Sequence, residues 1–423
     1  MNNHLSYSLK GVRFKRMPDV PYDIVFHRQS ILNDNGFKDN IYKSPLGIIK
    51  RAFFPTLKTI EYKNQKSKIL FYISDPGRKS SEVNFMKAVG TVNNADILIE
   101  RHNKGNFTLR GFWLLFVLCP LWLIQMRGRS LNALEKYQVL KELLDLYTIQ
   151  VFFSRLNIRQ YNLLVCYYDS LVHECVLTLL FQKEGILTAT LEHGQFNAWR
   201  EKSIVNCGLE FITSHSDYHL CWNKFAKDEA LKCGLKEDRL PVVGILSNIG
   251  RGKVRCMKPN NGIFGVVISN PSWEFENYEM IKAANILSNK TNLKYYLKLH
   301  PNYKEDYFND VIVADYYLGN IAKGIDTLDY TNMVDFSIVG SSSVYVEMIY
   351  MYHDILRYSS LLPSDKFGNI KKGSVFHSAA EIETCYKSMK EESKSELFDL
   401  LCETENTYQA YHDFFLQFMV EKG

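Results

Sequence analysis

The sequence predicts an α/β protein made of two Rossmann-like domains that face each other across a cleft. Three observations carry this expectation. The length, 423 residues, suits two domains. Short β-branched and aromatic runs alternate with stretches of helical period, the pattern of parallel sheets joined by right-handed crossovers. The alternation halts in a polar, basic stretch at residues 247–262 and then begins afresh.

The elements follow in order. ILFYIS (69–74) is a strand closed by Asp75-Pro76-Gly77, and a helix is expected over 80–89, then a strand over 96–100. Residues 131–156 repeat Leu, Tyr and Phe at helical spacing. LLVCYYDS (163–170) reads as a strand buried on both faces, followed by a helix over 171–183 and the strand ILTATLE (186–192). DYHLCWN (217–223) ends a strand, KFAKDEALKCG (224–234) is a short amphipathic helix, and LPVVG (240–244) is one more strand. The domain boundary falls near Leu240, giving domains 1–240 and 241–423. The second domain offers strands at 263–269, 293–301, 311–317, 334–340 and 355–358, with helices at 278–288, 326–333 and 344–352. An acidic helical tail covers 378–420.

Composition narrows the function classes. Apolar residues make up 46% and charged residues 23%, with only 23 Gly and 11 Pro, which excludes collagen-like, low-complexity and disordered chains. The net charge is +5, but residues 1–68 hold thirteen Lys or Arg against five acids, +8 in all. Such an end suits anionic lipid, a polyanionic substrate or simply water. No zinc-finger, basic-zipper or RNA-binding signature accompanies it, so no nucleic-acid partner is expected. The nine cysteines form no C-x-x-C pair, which fits a reducing compartment without structural zinc or disulfides. Residues 1–16 lack an apolar signal core, so a cytoplasmic protein is expected. Residues 112–126 (FWLLFVLCPLWLIQM) are uncharged and bracketed by Arg110, Arg127 and Arg129. As a helix they rise only ~22 Å against a hydrocarbon core of ~30 Å. They are read as a buried core helix or as a patch resting in the lipid interface on the inner face of the plasma membrane.

Three loops stand just past the carboxyl ends of strands, where open α/β sheets place ligands. Glu192-His193-Gly194-Gln195 follows one strand, His300-Pro301 a second, and Gly340-Ser341-Ser342-Ser343 a third, opening the helix that holds Glu347. A serine run at a helix start offers unpaired amides and hydroxyls to phosphate; simple N-capping would need one serine. His300, kept extended by Pro301, can donate to a phosphate oxygen or protonate it on departure. His193 or Glu192 can act as general base toward an acceptor hydroxyl. The phosphate loop G-x-x-x-x-G-K-[ST], the dinucleotide fingerprint G-x-G-x-x-G and the hydrolase elbow G-x-S-x-G are all absent. No D-x-D occurs either, so no metal is expected, and leaving-group charge would fall to a helix dipole, His and Lys or Arg. His215 and His219 stand four apart, but in a strand that spacing is ~13 Å, too far to share an ion.

The order HG…HP…SS across two such halves resembles GT-B-fold transferases of bacterial surface polysaccharides: capsule and sialic-acid transferases, and the polyol-phosphate transferases of teichoic acid synthesis. The spans DYHLCWNKFAKDEALKCGLKEDRLPVVG and GSSSVYVEMIYMYHDILRY resemble the inter-domain crossing and the donor-binding helix of these enzymes. The resemblance implies metal-independent, inverting transfer from a nucleotide-sugar donor to a glycan or lipid-linked glycan acceptor, with no cofactor. It assigns donor binding to 241–423 and acceptor binding to 1–240. His300 would contact the donor phosphate, and Gly340, Ser341, Ser342, Ser343 and Glu347 would complete the donor site. Two departures matter. The sialyltransferase-like pattern has two acids before the glycine, where this chain has Glu192-His193. The polyol-phosphate branch has an Asp before the serines, where this chain has Ile338-Val339-Gly340. The rivals are transfer of a polyol phosphate from a CDP-linked donor, a non-catalytic nucleotide- or glycan-binding relative, and a sugar-nucleotide epimerase.

Overall fold

The computed structural model describes residues 9–26, 52, 57–63, 66–74, 79–103, 109–169, 171–192, 194–195, 214–246, 260–322, 324–361, 365, 367–368, 370, 374–389, 395–402 and 406–419. They form two α/β halves, each around a six-stranded sheet. The first sheet uses β1 (Leu57–Lys63), β2 (Ile69–Ser74), β3 (Asp96–Asn103), β4 (Leu163–Cys166), β5 (Leu187–Leu191) and β6 (Tyr218–Leu220), in the order β1-β3-β2-β4-β5-β6. Every pair is parallel except β1 with β3, which run antiparallel from Leu57 opposite Asn103 to Lys63 opposite Ile97. This edge strand lies where the sequence showed no order.

Helices cover both faces, which is why β2 is apolar along almost its whole length and wholly buried. Ile69, Phe71 and Ile73 pack toward α1 (Lys79–Val89). Leu70 and Tyr72 pack toward α3 (Ala133–Phe153) and α4 (Val172–Lys183) on the other face. Between α1 and α3 runs α2, continuous from Arg110–Trp113 through a π-helical turn, Leu114–Leu118, to Cys119–Gln125. Its Leu114, Leu118, Trp122 and Met126 face a satellite core shared with α3, α4 and residues 9–26. One side of this segment is therefore core, as the first expectation had it, and the other side is exposed. After β6, α5 (Lys224–Lys232) starts at Asn223, whose side chain accepts the Ala226 amide.

The second sheet is parallel throughout. Its strands are β7 (Ile263–Val267), β8 (Lys294–Lys298), β9 (Tyr317–Asn320), β10 (Ser337–Val339), β11 (Ile355–Tyr358) and β12 (Ser374–Phe376), ordered β12-β11-β10-β7-β8-β9. Around it lie α6 (Glu274–Thr291), α7 (Thr327–Thr331), α8 (Val344–Tyr350), α9 (Ile382–Met389) and α10 (Ser395–Leu401). Two expected strands change. Residues 311–316 turn instead of pairing, because Val311, Ile312 and Tyr316 pack on the core while Asn285 binds the Val311 carbonyl and the Val313 amide. Residues 240–244 contribute only an isolated bridge, Cys221 to Val242.

The last helix, α11 (Thr407–Leu416), packs on the first sheet although its sequence follows the second. Tyr411, Phe414 and Phe415 join the first core, the Tyr411 hydroxyl donates to the Gly244 carbonyl, and His412 Nδ1 bonds the Thr91 carbonyl. The halves also meet directly, through Trp222, Phe225 and Ile245 packed with Tyr345, Val346 and Ile349.

Candidate active site

The site lies where the carboxyl ends of the two sheets approach. In the second sheet β8 and β10 flank β7, so the His300 loop and the serine run leave the same edge on either side of one strand. In the first sheet the loop after β5 carries Glu192, Gly194 and Gln195; His193 lies outside the described residues.

A hydrogen bond joins these edges. The Gln195 amide donates to Ser343 Oγ at 3.1 Å. Gln195 is held from below, since Asn223 Nδ2 donates to its Oε1 at 2.8 Å while Asn223 Oδ1 caps α5. A polar chain thus runs from a helix cap in the first half to the helix start of the second.

The serines divide their work. Ser341 is buried, and its amide and hydroxyl both donate to the Glu276 carboxylate at 3.1 Å. Ser360 donates to the same carboxylate at 2.9 Å. Burial, with Asp365 nearby, pushes the Glu276 carboxyl up to about 7 against the pull of these bonds. Gly340 permits the approach: a Cβ there would lie 3.0 Å from Glu276 Oε2. Ser341 is thus spent on anchoring the loop, and the Val344 amide reaches Ser342 Oγ at a long 3.4 Å. Ser342 and Ser343 are half-buried.

His300 is half-buried at the end of its loop. Its Nδ1 accepts the Asn302 amide at 3.2 Å, which in the neutral ring puts the proton on Nε2, the form that donates to an oxygen. Two residues earlier, Lys298 Nζ donates to the Ile325 carbonyl at 3.0 Å and lies over the Tyr330 ring. Burial lowers the Lys298 pKa, opposed by Glu347 and Asp326. Glu347 in turn accepts from the Thr327 hydroxyl at 2.5 Å. Glu347 and Lys298 therefore belong to one charged group beneath α8.

Glu192 is fully buried. Its Oε2 accepts the Trp222 amide at 2.5 Å and its carbonyl accepts the Trp222 indole N–H at 2.6 Å. These bonds fit a carboxylate that fixes the loop. The metal-ligating atoms of Glu192, His219 and Cys221 all lie within 4.8 Å of one another, the one such group of three among the described residues. His215 is not a member of this group. Burial pulls the His219 imidazole down to about 4.

No protein-family model matches the sequence, and comparison with curated proteins finds no match. Solved structures do match. The S. aureus MnaA structure with UDP is 14% identical, spans 84% of this chain and 99% of its own, and gives a TM-score of 0.51. The Methanocaldococcus jannaschii UDP-GlcNAc 2-epimerase in complex with UDP-GlcNAc and UDP is 12% identical over 82% of this chain and 99% of its own, with a TM-score of 0.53. The UDP-N-acetylglucosamine 2-epimerase from Rickettsia bellii is 11% identical over 83% and 96%, with a TM-score of 0.52. The fold is GT-B.

Sequence reasoning missed several residues around this GT-B cleft: Glu276, Lys298, Thr327, Trp222 and Asn223. Lys298 stood in the same LKLHP run as His300, and Asn223 preceded a helix in the capping position, so both had a local signal. Glu276 had none, because its serine partners lie 65 and 84 residues away.

Proposed function

We propose that the chain is a metal-independent inverting glycosyltransferase, one that takes a nucleotide-activated sugar in the cleft and builds a bacterial surface glycan. The observation that carries this reading is the meeting of the serine run with the Glu192–Gln195 loop through Ser343 and Gln195. It sets a hydroxyl-rich helix start opposite a loop of the other half, a seat for an anionic donor with an acceptor across from it. Two of the similar structures hold UDP, one of them with UDP-GlcNAc, which supports a nucleotide sugar as the ligand here.

In the proposed reaction an acceptor hydroxyl attacks the donor anomeric carbon while the bond from that carbon to the phosphate oxygen breaks. The hydroxyl proton passes to the general base, His193 or Glu192. The enclosed Glu192 carboxylate favours His193 as base with Glu192 as its anchor. Charge on the leaving phosphate meets His300 Nε2–H and the hydroxyls of Ser342 and Ser343, since the amides of Ser341, Ser342, Val344, Tyr345 and Val346 are bonded within the loop and the first turn. Glu347 completes the donor side, and Gly340 with Ser341 holds the loop in shape.

A second reading is favoured by the named activity of two structural relatives: epimerisation of a nucleotide sugar. One experiment separates the two. Purified protein is incubated with single nucleotide sugars, with and without glycan acceptors, and products are read by mass spectrometry. An acceptor heavier by one sugar is the expected product. Gain of a phosphopolyol from a CDP-linked donor would move the assignment to the polyol-phosphate branch. Conversion of the donor without acceptor into an isomer of the same mass, resolved by NMR, would establish epimerisation, and no turnover despite nucleotide binding would favour a non-catalytic relative.

A further inference from the structure

Helix α2 has two unlike sides. Inward lie Leu114, Leu118, Trp122 and Met126, all buried. Outward lie Phe112, Phe116, Val117, Pro120, Leu123 and Ile124, an unbroken apolar strip. Phe116 is 70% exposed and Ile124 63% exposed. The π-helical turn closes with the Cys119 amide on the Leu114 carbonyl, ahead of Pro120. Scattered surface apolar residues are ordinary, but a full helix face without one polar group marks an interaction surface.

The rim of this strip is basic, and the structure ties it there. Residues 9–17 alternate buried apolar side chains (Leu9, Val12, Phe14, Met17) with exposed cations (Lys10, Arg13, Lys15, Arg16). Their backbone is stitched to the end of α2 and the turn that follows. Trp122 Nε1 donates to the Lys15 carbonyl at 3.0 Å, the Lys15 amide donates to Gln125 Oε1 at 3.1 Å, and Arg129 donates to the Lys10 carbonyl at 3.1 Å. The Arg16 guanidinium lies 4.7 Å from the Trp113 ring centroid. Exposed Arg127 and Arg129 continue the rim past the end of the helix. Asp19 and Asp23 are the acids of the segment, and Arg13 pairs with Asp19 at 3.4 Å, which leaves cations in excess.

We infer that this face rests on an anionic lipid surface, with the outward side chains of α2 in the interfacial layer and the cations of residues 10–16 and 127–129 against headgroups. The dimensions agree: 16 helical residues rise ~24 Å, and no helix among the described residues is long and apolar enough to cross a membrane. One face is held by the core, so the helix lies flat. Charge argues against a second copy of the chain, since a two-fold contact would press one basic rim against its equal.

The test is flotation of the full chain with vesicles of phosphatidylcholine alone or with about a third phosphatidylglycerol, and it reads no turnover, so it stands apart from the proposed activity. The wild-type chain should float with the anionic vesicles and progressively less as salt rises. Phe116→Glu with Ile124→Glu should weaken this by about tenfold or more with an unchanged melting temperature, because both positions are exposed. Lys10→Glu with Lys15→Glu should weaken binding to anionic vesicles. The inference is overturned if the wild-type chain stays off anionic vesicles, or if the apolar variant floats as well as wild type. It is also overturned if the wild-type chain is a dimer in solution that Phe116→Glu with Ile124→Glu converts to monomers, which would assign the face to a second copy.

Discussion

Ser343 shows how little separates a structural from a chemical role at this edge. It accepts one amide across the cleft, from Gln195, while its neighbour Ser341 gives both its donors to Glu276. The residue to test for chemistry is His300, whose Nδ1 is engaged and whose Nε2 carries the proton in the neutral ring. His300→Ala should lower turnover by about 10²-fold or more with its melting temperature preserved, as a half-buried loop residue outside the core. Steady-state rates alongside thermal unfolding check this. Glu276 makes a prediction of opposite kind. Its carboxyl rises from an ordinary value of 4.5 to about 7 on burial, so its proton is held more tightly folded than unfolded. The resulting stability is fully present below pH 4.5 and is lost as pH climbs through 7. Glu276→Gln cannot ionise, so its melting temperature should change less than that of wild type between pH 5 and pH 8, read by calorimetry at a series of pH values.

At the scale of elements, the strands that could be read were those whose burial is local. ILFYIS and ILRY coincide with β2 and β11 residue for residue, because strands covered on both faces are largely apolar, the buried Arg357 of β11 being paired with Asp365. The stretch 311–317 has the same composition and is mostly turn, since its apolar side chains find their cover by packing on α6 and β8. β1 escaped notice because LKTIEYK alternates charge with apolar groups on an edge, where one strand partner suffices. Close packing between elements sets a further expectation. Gly265 on β7 lies under Tyr330 of α7, and a Cβ there would sit 1.9 Å from the Tyr330 hydroxyl, which bonds Ser337 Oγ at 3.1 Å. Gly265→Ala should therefore cost about 1–3 kcal/mol in chemical denaturation, the usual price of overpacking a tight core.

For the whole molecule, the two-halved plan was legible because the strand–helix alternation repeats, and each half closes its own sheet. The three loops were legible because strand ends are where such sheets expose backbone. What joins the halves was not. α11 belongs by sequence to the second half and by packing to the first, and the Ser343–Gln195 contact spans 148 residues. The stitching of the basic segment to α2 spans more than a hundred. Pairings of that kind leave no periodicity in either partner.

The account turns on one measurement: melting temperatures of wild type, His300→Ala and Ser342→Ala with CMP, CDP, UDP and GDP in turn. A ligand bound by the native form at about 100 times its Kd adds about 2.7 kcal/mol to stability, several degrees or more. At least one nucleotide should raise the melting temperature of wild type by that margin, and both variants should lose most of the rise. No shift with any nucleotide, or equal shifts in all three proteins, would contradict it.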